Sequence, residues 1–228
     1  MTDNRNTSCS SCLRRLISFV GDCPVTIAIS FVAVVVSLKP EFASLLELNF
    51  GRVADGQLWR LFTGHLTHYN AEHLFWDLAM FCALSAICES RHGGGYWAAI
   101  MATCVFISGA VAITCPGVLV YRGLSGLDTG LFAWFAIDQF RRNQRAGDQT
   151  GQLLWSLAFV ALLGKLGFEC FTDSTLFADS EDFVPLVQSH VAGAACGIVM
   201  ALARILHQPR SVSSRFGEHS ANRMVTDR

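Results

Sequence analysis

Ser125 lies in the run Tyr121-Arg122-Gly123-Leu124-Ser125-Gly126-Leu127-Asp128-Thr129-Gly130. This is a polar, glycine-rich turn opening directly onto an apolar helix. A serine becomes a nucleophile when its hydroxyl is accessible, a base can take its proton, and donors wait for the anion that forms. Gly123 lets the chain turn sharply, and Gly126 leaves the hydroxyl unshielded. The amides at the start of the following helix, from Leu124 through Gly126, have no intrahelical acceptors and suit a developing oxyanion. The base is His190, in Gln188-Ser189-His190-Val191-Ala192-Gly193-Ala194-Ala195-Cys196-Gly197. Gly193 and Gly197 form a G-x-x-x-G face that lets another helix approach closely. His190 sits one turn above Gly193 on that face. If the neighbour is the helix begun by Ser125, imidazole and hydroxyl can form a serine–histidine pair. Read singly, the serine is equally a helix cap and the histidine equally a group satisfied between helices.

Other polar residues gather at the same depth. His73 and Asp77 are spaced i, i+4 on one face of a helix, with His65 and His68 just before it. The spacing is not H-E-x-x-H, and no metal or cofactor is expected. Lys165 and Glu169 are also i, i+4 and read as a structural ion pair. Asp128, one turn into the Ser125 helix, reads as a residue that offsets the helix dipole and caps amides. Cys9-x-x-Cys12 has no second metal-binding pair.

The elements that must carry these groups are membrane helices. Only 15% of the 228 residues are charged and 52% are hydrophobic, with a mean hydropathy of +0.40. A soluble domain carries about 25% charged residues. The net charge of −1 says nothing about nucleic acid, but no basic patch or stacking platform is visible, and no nucleic-acid partner is expected. Apolar runs predict six spans, near residues 16–38, 71–88, 96–115, 125–140, 152–168 and 184–205. Residues 1–15 and 207–228 are polar tails flanking a membrane domain over 16–206. Leu45-Leu46-Glu47-Leu48 and Leu58-Trp59-Arg60-Leu61-Phe62 read as interfacial helices in the first connection.

Six spans place both termini on one side. Arg5, Arg14, Arg15, Arg91, Arg141, Arg142, Arg145 and the arginines from Arg204 onward share it, against Lys39, Arg52, Arg60 and Arg122 opposite. The positive-inside rule makes that side cytoplasmic, and a plasma (inner) membrane is expected. The fourth span, about 24 Å over Ser125–Phe140, is shorter than a hydrocarbon core of about 30 Å. With its arginines at the inner surface, Ser125 is expected to be recessed in a wet cavity open to the extracytoplasmic side.

These residues together resemble the rhomboid family of intramembrane serine proteases. Trp59-Arg60 looks like its W-R motif and His73 with Asp77 like its H-x-x-x-N. Gly123-x-Ser125-Gly126 matches G-x-S-G, and His190-x-x-Gly193-x-x-x-Gly197 matches H-x-x-G-x-x-x-G, all in family order. Trp59–His65, Tyr121–Gly126 and Lys165–Glu169 look more narrowly like the rhombosortase branch, thought to process proteins with a C-terminal Gly-Gly sorting tail. The resemblance implies an all-α, six-helix fold and a Ser125–His190 dyad without an acid. It also implies an oxyanion held by the Ser125 amide and the side chains at positions 73 and 77. The substrate would be a membrane-anchored protein within the bilayer. Two positions depart from the family. Asp77 replaces an asparagine: it is protonated, orients His73, or contributes nothing. Thr129 replaces an aromatic residue. A catalytically inactive rhomboid-like protein that binds membrane clients is the alternative, and a small transporter using Lys165, Glu169 and the histidines is a further rival.

Overall fold

The computed structural model describes residues 21–172 and 186–207. The tails, Cys9 and Cys12, and the acidic stretch 173–185 lie outside the described residues, as do the expectations placed on them. The elements run α1 (Pro24–Ser37), α2 (Pro40–Leu46), β1 (Leu48–Asn49), α3 (Phe50–Ala54), α4 (Arg60–Thr63), α5 (Ala71–His92), α6 (Tyr96–Thr114), β2 (Val120–Tyr121), α7 (Ser125–Ala146), α8 (Gln149–Thr172) and α9 (Val187–His207). The chain is an all-α polytopic membrane protein. Among the described residues three stretches are long and apolar enough to cross a bilayer: Ala71–Thr114, Gln149–Thr172 and Val187–His207. The first is α5 and α6 joined by a 3-10 turn at Gly93–Gly95. α1 is apolar but shorter. Large apolar side chains face outward on every long helix but α7, among them Phe31, Phe75, Phe106, Val160 and Val199. A bundle dressed this way needs lipid around it.

α7 departs from expectation. It does not stop at Phe140 but runs 22 residues to Ala146, about 33 Å. Arg142 Nε reaches back 2.9 Å to Asp138 Oδ2, and the Asn143 amide donates to the Gln139 carbonyl at 2.9 Å. These i, i+4 bonds carry the helix past the apolar segment. Only the apolar part of this span is short, so helix length alone does not recess the serine.

The first connection is folded, as its length demanded, but Leu48 belongs to a strand. Leu48 pairs antiparallel with Tyr121, and Asn49 with Val120. This two-stranded clasp ties the first connection to the turn before Ser125. Buried Arg60 supports it by donating to the Ser44 and Glu47 carbonyls at 3.2 and 2.7 Å. Those carbonyls lie at the C-terminal end of α2, where a cation is favourable. Trp59 stays half exposed. His65 is fully buried, with Nε2 at 3.2 Å from both the Cys104 carbonyl and Ser108 Oγ.

α7 and α9 run parallel and in backbone contact. A Cβ on Gly126 would lie 2.9 Å from the Ser189 carbonyl oxygen, and one on Gly130 2.7 Å from that of Gly193. A Cβ on Gly193 or Gly197 would overlap the Gly126 or Gly130 carbonyl. Behind this seam Ile107, Leu124, Leu127 and Leu131 form fully buried core.

Two consequences are measurable. Gly193→Ala forces the two helices apart and costs about 1–3 kcal/mol, the usual range for overpacking, read as a lower thermal midpoint in detergent. Burial holds the His65 imidazole neutral, its pKa pushed down from 6.5 to about 4. The unfolded chain then binds this proton more readily than the folded one. Stability is therefore full above about pH 6.5 and is lost as pH falls toward 4. His65→Gln should flatten the fall in thermal midpoint over that window relative to wild type.

Candidate active site

Gly123 sets the geometry of the serine turn. Its φ of +119° lies where side chains are strained, and a Cβ there would sit 2.8 Å from His73 Nε2. The turn is pinned on three sides. Gly123 N donates to the Gly64 carbonyl at 3.4 Å. The Tyr121 hydroxyl donates to the Gly123 carbonyl at 3.2 Å, and burial pushes that phenol's pKa up, keeping it a donor. Arg122 donates through Nε to Glu47 Oε2 at 2.9 Å and lies over the Tyr69 ring, which stacks on His73.

Ser125 begins α7 and is half buried. Its carbonyl accepts from Thr129 Oγ1 at 2.8 Å, so Thr129 braces the first turn of the helix. Gly126 is needed for packing: the space a side chain would take is filled by the Ser189 carbonyl. His190 is buried at the start of α9. The register of Gly126 against Gly193 sets it level with the serine turn. Among the described residues the Ser125 hydroxyl makes no hydrogen bond, to His190 or to any other group. Serine–histidine bonds are often loose before substrate arrives.

The sequence reading missed what holds the histidine. His190 Nδ1 lies 2.9 Å from Glu169 Oε2, and Lys165 Nζ lies 2.6 Å from Glu169 Oε1. Glu169 is fully buried. Lys165–Glu169 is thus an ion pair, but one whose second oxygen serves the imidazole. The available signal was that a carboxylate buried among helices needs more donor partners than one lysine supplies. A carboxylate on Nδ1 fixes the tautomer that leaves Nε2 free to take a proton.

Asp77 does more than face His73. Its Oδ2 accepts from Leu124 N at 2.7 Å and Ser125 N at 3.1 Å, and lies 3.3 and 3.2 Å from the Nε2 atoms of His68 and His73. One carboxylate oxygen therefore collects the first amides of α7 and two imidazoles. His68, which the sequence placed just before this helix, belongs to the cluster. Asp128, read from the sequence as a cap, caps nothing: its Oδ1 is buried without a hydrogen-bond partner, because Asp77 already holds the amides. Among the described residues no set of three His, Cys, Asp or Glu side chains is arranged to hold a metal ion.

A family model of the rhomboid domain matches residues 55–207, which takes in every residue of this cluster and of the clasp after Ala54. A search of curated proteins found no match.

Asp77 can be separated into its two parts by substitution. Asp77→Ala strands two amides and two imidazoles, and should cost about 3 kcal/mol, the scale for removing one partner of a buried charged cluster. Asp77→Asn keeps an oxygen for the amides and adds donors, so the thermal midpoint should change far less. An ionised carboxylate beside Ser125 N repels a developing oxyanion and a neutral amide does not. For a serine protease built on this site, peptide-bond turnover by Asp77→Asn is therefore expected to match or exceed wild type in a reconstituted cleavage assay.

Proposed function

We propose that the chain, which belongs to the rhomboid family, whose members are generally serine proteases acting within the membrane, is an intramembrane serine endopeptidase with Ser125 as nucleophile and His190 as general base. The observation that carries this reading is the glycine seam of α7 and α9, which holds a histidine level with a serine turn while Glu169 occupies its Nδ1.

In this mechanism Ser125 Oγ attacks the scissile carbonyl carbon and its proton passes to His190 Nε2. Glu169 accepts from Nδ1–H and stabilises the imidazolium as it forms, acting as a positioning residue. The oxyanion forms at the N-terminus of α7, next to Ser125 N–H and His73, and competes with Asp77 for that amide. Collapse breaks the C–N bond, and the leaving amine takes the proton from His190. Water, deprotonated by the same imidazole, then hydrolyses the acyl ester on Ser125.

The topology that goes with this mechanism has six spans, both termini in the cytoplasm and the site facing the extracytoplasmic side of a plasma membrane. The substrate is a membrane-anchored protein cut near that interface. The rhombosortase-like segments Trp59–His65, Tyr121–Gly126 and Lys165–Glu169 supply Arg60, the serine turn and Glu169, so a substrate with a C-terminal Gly-Gly sorting tail is the one to try first.

The test is cleavage of such a substrate by purified protein in proteoliposomes, beside labelling by a fluorophosphonate. Ser125→Ala and His190→Ala should each lose turnover by several orders of magnitude, and the probe should label wild type but not Ser125→Ala. Glu169→Gln should lower kcat about 10–1000-fold with KM and thermal midpoint nearly unchanged, and Glu169→Asp should recover part of the loss. Full cleavage by Ser125→Ala would overturn Ser125 as the nucleophile, and neither cleavage nor labelling by wild type would leave the chain as a client-binding member of the family.

A further inference from the structure

The end of the bundle opposite Ser125 holds a second polar site. Arg141 follows Ser125 by sixteen residues, about 24 Å along the helix. There the C-terminal ends of α5, α7 and α9 surround a cavity of about 230 Å³. Five arginines line it: Arg91 from α5, Arg141, Arg142 and Arg145 from α7, and Arg204 from α9. Among the described residues the carboxylate lining the cavity is Asp138, which lies 3.3 Å from Arg91 Nη1 and 2.9 Å from Arg142 Nε. Arg141 and Arg204 meet no carboxylate among the described residues. One wall is the Trp134 ring, with His92 stacked on it at 4.3 Å.

The positive-inside rule accounts for arginines at this end, and helix C-termini favour cations. Neither accounts for their enclosure of a cavity with unmet donors. Arg141 Nε and His92 Nδ1 are both buried without a hydrogen-bond partner. A buried guanidinium N–H without an acceptor is costly, and so is crowding several guanidinium groups around one acid. An anion with several acceptor oxygens would relieve both, and phosphate is the group to which arginine forks fit best. The cavity is smaller than the roughly 300–1,000 Å³ of sites that enclose whole drug-sized ligands. It suits a headgroup rather than a nucleotide.

We infer that this cavity binds a phosphate-bearing anion, and that its source is the headgroup of an anionic phospholipid. Basic pockets between helices near the membrane surface are suited to such headgroups. The three helices that meet here are those whose other ends carry His73 and Asp77 on α5, Ser125 on α7 and His190 on α9. A bound phosphate therefore ties together the elements that assemble the candidate active site. The binding itself does not depend on the catalytic reading.

The experiment uses the full chain in a neutral detergent, titrated separately with phosphatidylglycerol, phosphatidylcholine and inorganic phosphate, following the thermal midpoint. Phosphatidylglycerol should raise it saturably and phosphatidylcholine should not. Arg141→Gln with Arg204→Gln should weaken the apparent affinity about tenfold or more, as expected for losing charge-assisted bonds. Arg52→Gln, at an exposed arginine in the first connection, should leave it unchanged. Arg141→Lys, which keeps the charge but not the Nε–H, serves if the double variant fails to fold, and should also bind more weakly. A saturable response to inorganic phosphate and none to phosphatidylglycerol would assign the same site to a soluble phosphate. Equal responses to both lipids, or variants that respond like wild type, would overturn the proposal.

Discussion

A helix that starts inside a lipid-facing bundle exposes amides with no partners and no water to satisfy them. The serine turn depends on how that problem is solved. Asp77, projecting from α5, accepts from Leu124 N and Ser125 N, and His68 and His73 approach the same oxygen. The backbone at Ser125, Asp77 and His73 thereby form one polar cluster, with His68 from the loop before α5 drawn up to the same oxygen. α5 repeats the device at its other end, where Glu89 accepts from Val25 N and Thr26 N at 2.7 and 2.8 Å. Each time, a carboxylate from one helix caps the start of another, where the dipole favours negative charge.

This solution bears on catalysis. The amide that holds the resting turn is the one an oxyanion needs. An asparagine at position 77 could hold the amides through its oxygen and still offer donors; an ionised aspartate offers none. Asp77 thus holds the turn rigid, and in the proposed mechanism an oxyanion would compete with it for the Ser125 amide. On the other side of the serine, Lys165 and Glu169 form a relay to His190. α8 buries little else and turns an apolar face outward. It packs mainly along α7, where Leu162 and Leu166 meet Ala133 and the Trp155 ring meets Phe135, and it reaches His190 of α9 through Glu169.

Two clamps on the same helices frame the site. At one end the glycine seam brings α7 and α9 into backbone contact, and at the other the arginines of α5, α7 and α9 converge. Cores have discrete packings and do not deform freely. A ligand that draws the basic ends together therefore acts on the same rigid rods that carry serine and histidine.

Composition, the order of the motifs and the glycine spacing on residues 193 and 197 determined by themselves that this is a helical membrane protein of the rhomboid family. They did so because lipid admits few backbone solutions and because close helix contact needs glycine at fixed intervals. Sequence also marked Ser125, His190, His73 and Asp77 as the polar residues that gather. Only tertiary structure decided what each one touches. Glu169 reaches His190 from another helix, Asp77 caps a helix far along the chain, and Asp128, one turn inside that same helix, caps nothing. Leu48 became a strand because its partner, Tyr121, lies beyond two long helices. Helix periodicity is written locally, whereas the pairing of a buried carboxylate is settled by whichever donors the packed helices bring to it.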